Sequence, residues 1–286
     1  MNQFSGVRAL VTGGASGIGR GLATALLEDG AAHVVLADIE PTALEASVAE
    51  LGALGLGAVS GVVCDVTDAA SVDAAADDAW ARLGGIDVVC LNAGVFAGGY
   101  SWETTLDDWD WVLGVNLRGV IHGVRTFVPR LIAAGTPAHV MITASIAGVV
   151  AAPASAVYCT SKFAAVGLAE SLQHDLALAG AAHVTSSVLC PGMVATNIDH
   201  GDRNRPAGLE DATDTASSNL ATTAITDTLA SPDALDPLVG ARHALAQVKQ
   251  GRFYVTTHEG DLWDRLVANE NEDRLAGRPP RFQMYE

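Results

Sequence analysis

Tyr158 and Lys162 stand four residues apart in Tyr158-Cys159-Thr160-Ser161-Lys162, which opens a stretch of helical periodicity. Positions i and i+4 share a helix face, so the phenol and the ammonium can project into one cleft. A phenol with an ordinary pKa of ~10 is a poor base at neutral pH, and a neighbouring cation favours its phenolate. Such a group can take a proton from an alcohol or return one to a developing alkoxide. The pair by itself is a frequent coincidence, so its meaning depends on what else the chain brings to it. The second group with chemical promise is the run Thr12-Gly13-Gly14-Ala15-Ser16-Gly17-Ile18-Gly19, set between an apolar run and a helical stretch. Glycines permit a tight turn and a close backbone approach to an anion. The helix that follows offers free N–H groups and the positive end of its dipole. Asp38 ends the next apolar run, 19 residues beyond Gly19. A carboxylate there can accept hydrogen bonds from an adenosine ribose and repel a phosphate on the ribose 2′ position. No Lys or Arg follows it in residues 39–42, and Ser16 rather than a basic residue precedes Gly17. The expected ligand is therefore NAD rather than NADP. Arg20 lies past the turn and reads as a solvated helix residue.

These residues need a frame that gathers strand ends. Short apolar runs at 7–12, 33–38, 59–64, 87–92, 139–144, 184–190 and 253–256 read as seven strands. Segments of helical periodicity lie between them, near 17–28, 42–54, 69–83, 107–133, 157–179 and 233–250. Continuous apolar runs alternating with helices indicate a parallel sheet covered on both faces. The expectation is an α/β chain with one doubly wound sheet, a Rossmann fold, spanning 1–257. Two regions break the rhythm. Residues 197–232 are rich in Thr, Asp and Ser and follow the sixth strand, where they can cover a site as a partly helical lid or hang as a surface loop. Residues 258–286 carry a charged helical pattern (Asp261, Asp264, Arg265, Glu270, Glu272) that either caps the sheet edge or reaches a neighbouring subunit.

Composition limits the partners. Sixteen Lys and Arg against 33 Asp and Glu leave a formal net charge of −17. A phosphate-backbone binder needs a basic surface, so a nucleic acid is not expected, and neither is docking on an anionic membrane. No run approaches ~18 apolar residues, and no basic segment leads into an apolar stretch with a cleavage site, so a cytoplasmic protein is expected. Cys64, Cys90, Cys159 and Cys190 are widely spaced and read as small buried hydrophobes. The eight histidines lack ligand spacing, and no catalytic metal is expected.

Taken together, the motifs resemble those of the short-chain dehydrogenase/reductase family. TGGASGIG, from Thr12 to Gly19, is similar to that family's cofactor turn. Asp65-Val66 at the third strand's end resembles its adenine-contacting site, and Asn92-Ala93-Gly94 its element after the fourth strand. Asn116 resembles its helix asparagine, and Ser145, 13 residues before Tyr158, its catalytic serine. Pro191-Gly192, with Val194 and Thr196, resembles the element that flanks the nicotinamide. The matches run in family order from residue 12 to 196. The resemblance implies a Tyr158 general acid/base, with Lys162 lowering its pKa and holding the nicotinamide ribose. It implies that Ser145 orients the substrate oxygen and that Asn116 holds a water linking Lys162 to solvent. On the residues alone, Asn116 can also brace a helix against the sheet.

Val95, Phe96, Ile146, Ala147, Pro153, Met193 and Trp102 are the expected substrate-side residues, whereas Trp109 and Trp111 read as packing. Their apolar character points to a hydrophobic secondary alcohol or its ketone. The stretch 107–135 also looks like that of family members that oxidise bulky aryl carbinols. Arg203 and Arg205 read as solvated charges of the insert, with a meeting with an acidic substrate group as the alternative. A reductase of 3-oxoacyl thioesters is the competing enzyme reading, although it usually goes with NADPH and a basic docking patch. A silent dinucleotide-binding scaffold or regulator is the competing reading of another class. The resemblance also implies a homo-oligomer, tetramer or dimer, paired through the two long helices after the fourth and fifth strands.

Overall fold

A computed structural model describes residues 3–209, 215–258, 260 and 262–281. The apolar runs become seven strands: β1 (Arg8–Thr12), β2 (His33–Asp38), β3 (Ala58–Val63), β4 (Val88–Leu91), β5 (Ala138–Thr143), β6 (Val184–Cys190) and β7 (Tyr254–Thr256). They form one parallel sheet in the order β3-β2-β1-β4-β5-β6-β7. The order reverses between β1 and β4, and in open sheets of this kind ligands bind beyond the strand ends at that switch point. The central strands β1, β4 and β5 are buried almost throughout. The edge strand β3 is half exposed and does not show the two-sided burial expected of it, because only β2 flanks it.

The helices among the described residues are α1 (Gly17–Glu28), α2 (Pro41–Gly52), α3 (Ala69–Leu83), α4 (Leu106–Leu113), α5 (Gly119–Ala134), α6 (Ala156–Leu178), α7 (Ala216–Ala230), α8 (Pro237–Lys249) and α9 (Leu262–Ala276). On one face Leu22 and Leu26 of α1 pack with Ala241 and Leu245 of α8 over β1 and β2. On the other, α3, α5 and α6 cover the sheet through Ala76, Phe127, Leu131 and Leu172. Local chemistry sets the ends. Asp68 caps α3 by accepting from the Ala70 N–H at 2.9 Å, and Gly84 closes it in the left-handed region at φ 67°. The helix expected over 233–250 starts later, at Pro237, because Asp236 accepts from the Leu238 and Val239 N–H groups ahead of it.

The segment expected as one helix over 107–133 runs from Leu106 to Ala134 but contains a π turn, Gly114–Arg118, between α4 and α5. Asn116 sits in that turn. The described parts of the insert after β6 are folded: a 3-10 stretch at Ile198–Asn204 precedes α7. In the tail, α9 packs back on the body, with Leu266 buried and Trp263 beside Tyr254, although Asp261 lies outside the described residues. Buried Asp273 there accepts from Arg278 and Arg281. Among the described residues no helix is long and apolar enough to cross a membrane, and no group of three or more His, Cys, Asp or Glu is placed to hold a metal. All four cysteines are buried and unpaired with one another.

Candidate active site

A cavity of about 670 Å³ lies at the switch point, beyond the strand ends. At its floor the chain leaves β1 through Gly13 (φ 62°) and enters α1 at Gly17 (φ 50°), conformations that an L side chain rarely adopts. A Cβ on Gly19 would lie 2.0 Å from the Gly13 carbonyl oxygen, so the turn closes only around a bare backbone. Ser16 makes no side-chain capping bond to α1, which leaves the N-terminal N–H groups for an external anion. Gly13, Ser16, Gly17 and Ile18 line the cavity, whereas Gly19 lies behind them.

Asp38 is aimed by the backbone around it. One of its oxygens accepts from the Ala15 N–H at 2.9 Å and the other from the Glu40 N–H at 3.1 Å. Each oxygen keeps a lone pair for a hydroxyl donor, and the residue lines the cavity. Asp65 is ordered in the same way by the Thr67 N–H and hydroxyl, at 2.9 and 2.7 Å. Asn92 ties three strand ends together: its N–H meets the Thr12 hydroxyl, its amide donates to the Thr12 carbonyl, and its oxygen accepts from Thr143. Ala93, Gly94, Val66, Pro191, Gly192, Val194 and Thr196 also line the cavity. The glycine turn, the aimed Asp38 carboxylate and the uncapped helix end fit the diphosphate and ribose of a nicotinamide dinucleotide.

Ser145 follows β5 and accepts from the Ala147 N–H at 3.1 Å. Tyr158 sits in the first turn of α6, one turn before Lys162, and all three side chains face the cavity. Lys162 Nζ donates to the Thr143 carbonyl at 3.1 Å and lies 5.7 Å from the centre of the Tyr158 ring. Phe96 meets that ring edge-on at 5.2 Å. Burial pushes the Tyr158 phenol up to about 12, against a hydrogen bond with Ser145 that pulls it down. Burial also lowers Lys162 to about 8. Burial dominates at both groups, because desolvation favours the neutral form of each.

Asn116 is fully buried and does not line the cavity. Its amide donates to the Val95 carbonyl and the Ser161 hydroxyl, at 2.9 and 3.0 Å, and its oxygen accepts from the Val95 N–H at 2.8 Å. The side chain thus holds the segment that follows β4 against α6. Gly94 lies close to both this side chain and Lys162: a Cβ there would be 3.4 Å from Asn116 Oδ1 and from Lys162 Nζ.

The insert departs most from expectation. Arg205 is not a solvated charge: its guanidinium pairs with buried Asp108 at 2.7 Å and lies 4.3 Å from the centre of the Trp111 ring. Arg203 pairs with Glu40 at 2.9 Å, and Asn204 donates to the same carboxylate oxygen at 2.8 Å. Thr226 of α7 donates to Asp199 at 2.8 Å, and Ser217 ties the start of α7 to Glu103 and to the Tyr100 N–H. These ties lay α7 along the cavity, where Leu220, Ala221, Ala224, Ile225 and Leu229 form a wall. Their spacing is the helical one, but polar residues mask it in the sequence. Of the expected substrate-side residues, Val95, Phe96, Ile146, Ala147, Pro153 and Met193 line the cavity, while Trp102 does not. Trp111 does, besides packing under Arg205.

Comparison with known proteins agrees with this geometry. A family model described as short chain dehydrogenase matches residues 8–207. This chain belongs to the short-chain dehydrogenase/reductase family. Among its relatives, a C alpha-dehydrogenase from a Sphingobium species is 39% identical over 208 residues, covering 72% of this chain and 67% of the relative. A 1-deoxy-11-beta-hydroxypentalenate dehydrogenase from Streptomyces avermitilis is 45% identical over 195 residues, covering 68% and 70%. The crystal structure of a short-chain dehydrogenase/reductase from Burkholderia phymatum in complex with NAD superposes with a TM-score of 0.94 at 37% identity, covering both chains completely. The seven-stranded parallel sheet is the Rossmann architecture of this family, and the chain is an oxidoreductase of the short-chain class.

Proposed function

We propose that this short-chain dehydrogenase/reductase interconverts a hydrophobic secondary alcohol and its ketone with NAD, using Tyr158 as general acid/base. The observation that carries the reading is the convergence of Ser145, Tyr158 and Lys162 in the same cavity as the glycine turn and Asp38. Gly13 to Ile18 would hold the diphosphate, Asp38 the adenosine ribose, and Lys162 the nicotinamide ribose, with Asp65, Val66, Asn92 to Gly94 and Pro191 to Thr196 framing the rest. Held there, the nicotinamide would supply the hydride acceptor for the carbinol carbon. Ser145 holds the substrate oxygen beside the phenol. Tyr158 takes the hydroxyl proton in oxidation and returns it to the carbonyl oxygen in reduction. The Lys162 ammonium stabilises the phenolate left when Tyr158 gives up its proton. Asn116 keeps the Val95 backbone and α6 in register beneath this group. The NAD preference rests on Asp38, seconded by Glu40 at the same end of the cavity and by the relative bound to NAD. The apolar wall of α7 supports reading that helix as the substrate-side cover. Among the described residues, the charged groups that line the cavity are Asp38, Glu40, Asp65, Lys162 and Arg203, and the α7 side is mostly apolar.

The test is a panel of secondary alcohols of graded size with NAD, followed by the absorbance of the reduced nicotinamide. Turnover that Tyr158→Phe reduces about 100-fold or more, with NADH binding by calorimetry retained, is the expected result. Full activity in that variant would remove the mechanism, and no turnover across the panel would favour a silent scaffold.

A further inference from the structure

Residues 191–194 follow β6 and line the cavity. Most of the ties that hold this segment run from backbone to backbone. The Pro191 carbonyl accepts from the Ile146 N–H, the Met193 carbonyl from the Leu235 N–H, and the Ala195 N–H donates to the Leu235 carbonyl, each at 2.9 Å. Gly192 is held by a side chain instead: its N–H donates to the Thr257 hydroxyl at 3.2 Å. That hydroxyl has a single proton, which it directs to His258 Nδ1 at 2.8 Å. Nδ1 is then the acceptor, so the ring is neutral with its proton on Nε2. Burial lowers the His258 pKa, against the Met193 backbone, which raises it. The same ring lies against bare backbone, since a Cβ on Gly192 would be 2.9 Å from His258 Nδ1 and 3.0 Å from Cε1. Thr257 is fully buried and braced from α8. Its carbonyl accepts from His243 at 3.0 Å, Gln247 holds both backbone groups of Thr256, and a Cβ on Gly240 would lie 3.1 Å from Thr257 Cβ. Neither Thr257 nor His258 lines the cavity.

We propose that Thr257, oriented by His258, is a positioning residue that sets where the Gly192 backbone meets the nicotinamide end of the cofactor. This inference rests on the reading of Pro191 to Thr196 as part of the cofactor's frame, and deepens it by naming what holds that frame from behind. The chain of donation runs one way, from the Gly192 N–H through the Thr257 hydroxyl to His258, and each bond in such a chain strengthens the next. Removing the hydroxyl leaves the Gly192 N–H and His258 Nδ1 without this partner and frees the segment to shift. Transfer between two carbons tolerates little misplacement, so a small shift there is felt in the chemical step. The glycine turn and Asp38 follow β1 and β2, on the far side of the sheet order from β7. Cofactor affinity drawn from them therefore survives the change.

The test compares Thr257→Val, which keeps the shape and removes the hydroxyl, with Thr257→Ser, which keeps the hydroxyl. Titration of NADH followed by its fluorescence gives both the dissociation constant and the emission of the bound nicotinamide. Turnover of an alcohol accepted by the wild type gives kcat and the isotope effect of a deuterium on its carbinol carbon. In Thr257→Val, kcat is expected to fall about fivefold or more, with a larger isotope effect and altered bound emission. The NADH dissociation constant should change less than about threefold, and Thr257→Ser should restore all of these. Wild-type kcat, isotope effect and emission in Thr257→Val overturn the proposal, whether or not Tm falls. An equal loss in Thr257→Ser overturns it too, because the hydroxyl would not be the cause. Should Thr257→Val fail to fold, His258→Phe carries the same comparison, since it keeps a ring against Gly192 and removes the acceptor. Absence of turnover in the wild type overturns the alcohol/ketone reading separately, because the emission of bound NADH still reports how its ring is held.

Discussion

The buried pair between Arg205 and Asp108 fastens the insert to α4, and its removal has a calculable cost. The Arg205 side chain is 7% accessible and that of Asp108 0%, with 2.7 Å between them. Removing one partner of such a pair strands a charge in a low-dielectric setting, at about 3–5 kcal/mol. The other Asp108 oxygen still accepts from the Thr105 N–H and hydroxyl, each at 2.8 Å. Those bonds place Arg205→Met near the lower end, at about 3 kcal/mol. Asp108→Asn takes away the guanidinium's 2.7 Å partner, leaving the Asp202 carboxylate at 3.5 Å, and weakens the Thr105–Asp108 capping box, adding about 1 kcal/mol. The double variant strands neither charge. A double-mutant cycle should therefore give a coupling of about 2 kcal/mol between the two sites. Urea denaturation of the four proteins, with midpoints compared at a shared slope, measures it. A coupling below about 0.5 kcal/mol would show that the pair is solvated and the insert free, and the reasoning would fail. The single Arg205→Met variant should also raise KM for the ketone, since the wall built by α7 depends on this anchor.

Three further outcomes follow from the site. Asp38→Asn keeps the size of the side chain but removes the charge that opposes a 2′-phosphate, so the NAD-to-NADP ratio of kcat/KM should fall by about tenfold or more; an unchanged ratio would move selectivity to Glu40. Lys162 is lowered by burial from 10.5 to about 8, so between those values the unfolded chain holds a proton that the folded chain has released. Stability attributable to Lys162 therefore rises with pH across that window, and Lys162→Met should remove that rise from the Tm-against-pH curve. Gly19→Ala sets a Cβ against the Gly13 carbonyl and the Asn92 amide; NADH affinity and Tm should both drop, and normal values for both would mean that the turn has room.

Legibility followed the range of the interactions. Gly13, Gly17 and Gly19, Asp38, and the Tyr158–Lys162 pair could be placed from short windows, because turn chemistry, the end of an apolar run and the i,i+4 spacing are local properties. The seven strands and their parallel order follow from alternating apolar runs and helices for the same reason. Element ends drifted by a few residues wherever a cap intervened, as at Asp236 and Pro237. The π turn at Asn116 was invisible, since a helix interrupted by one extra residue keeps an almost unbroken periodicity.

The amino-acid sequence alone thus carried the family, the sheet and the residues gathered at the strand ends. The tertiary structure decided how the insert meets them. Arg205 finds Asp108 97 positions away, and Asn204 finds Glu40 164 positions away. No short-range pattern specifies such partners, because a charged residue in a polar stretch looks the same whether it ends in water or under Trp111. Only packing withdraws the solvent, and once solvent is withdrawn an unpaired charge becomes too costly to leave alone. The same holds for Tyr100, whose place in the cavity lining depends on where Ser217 and α7 come to rest.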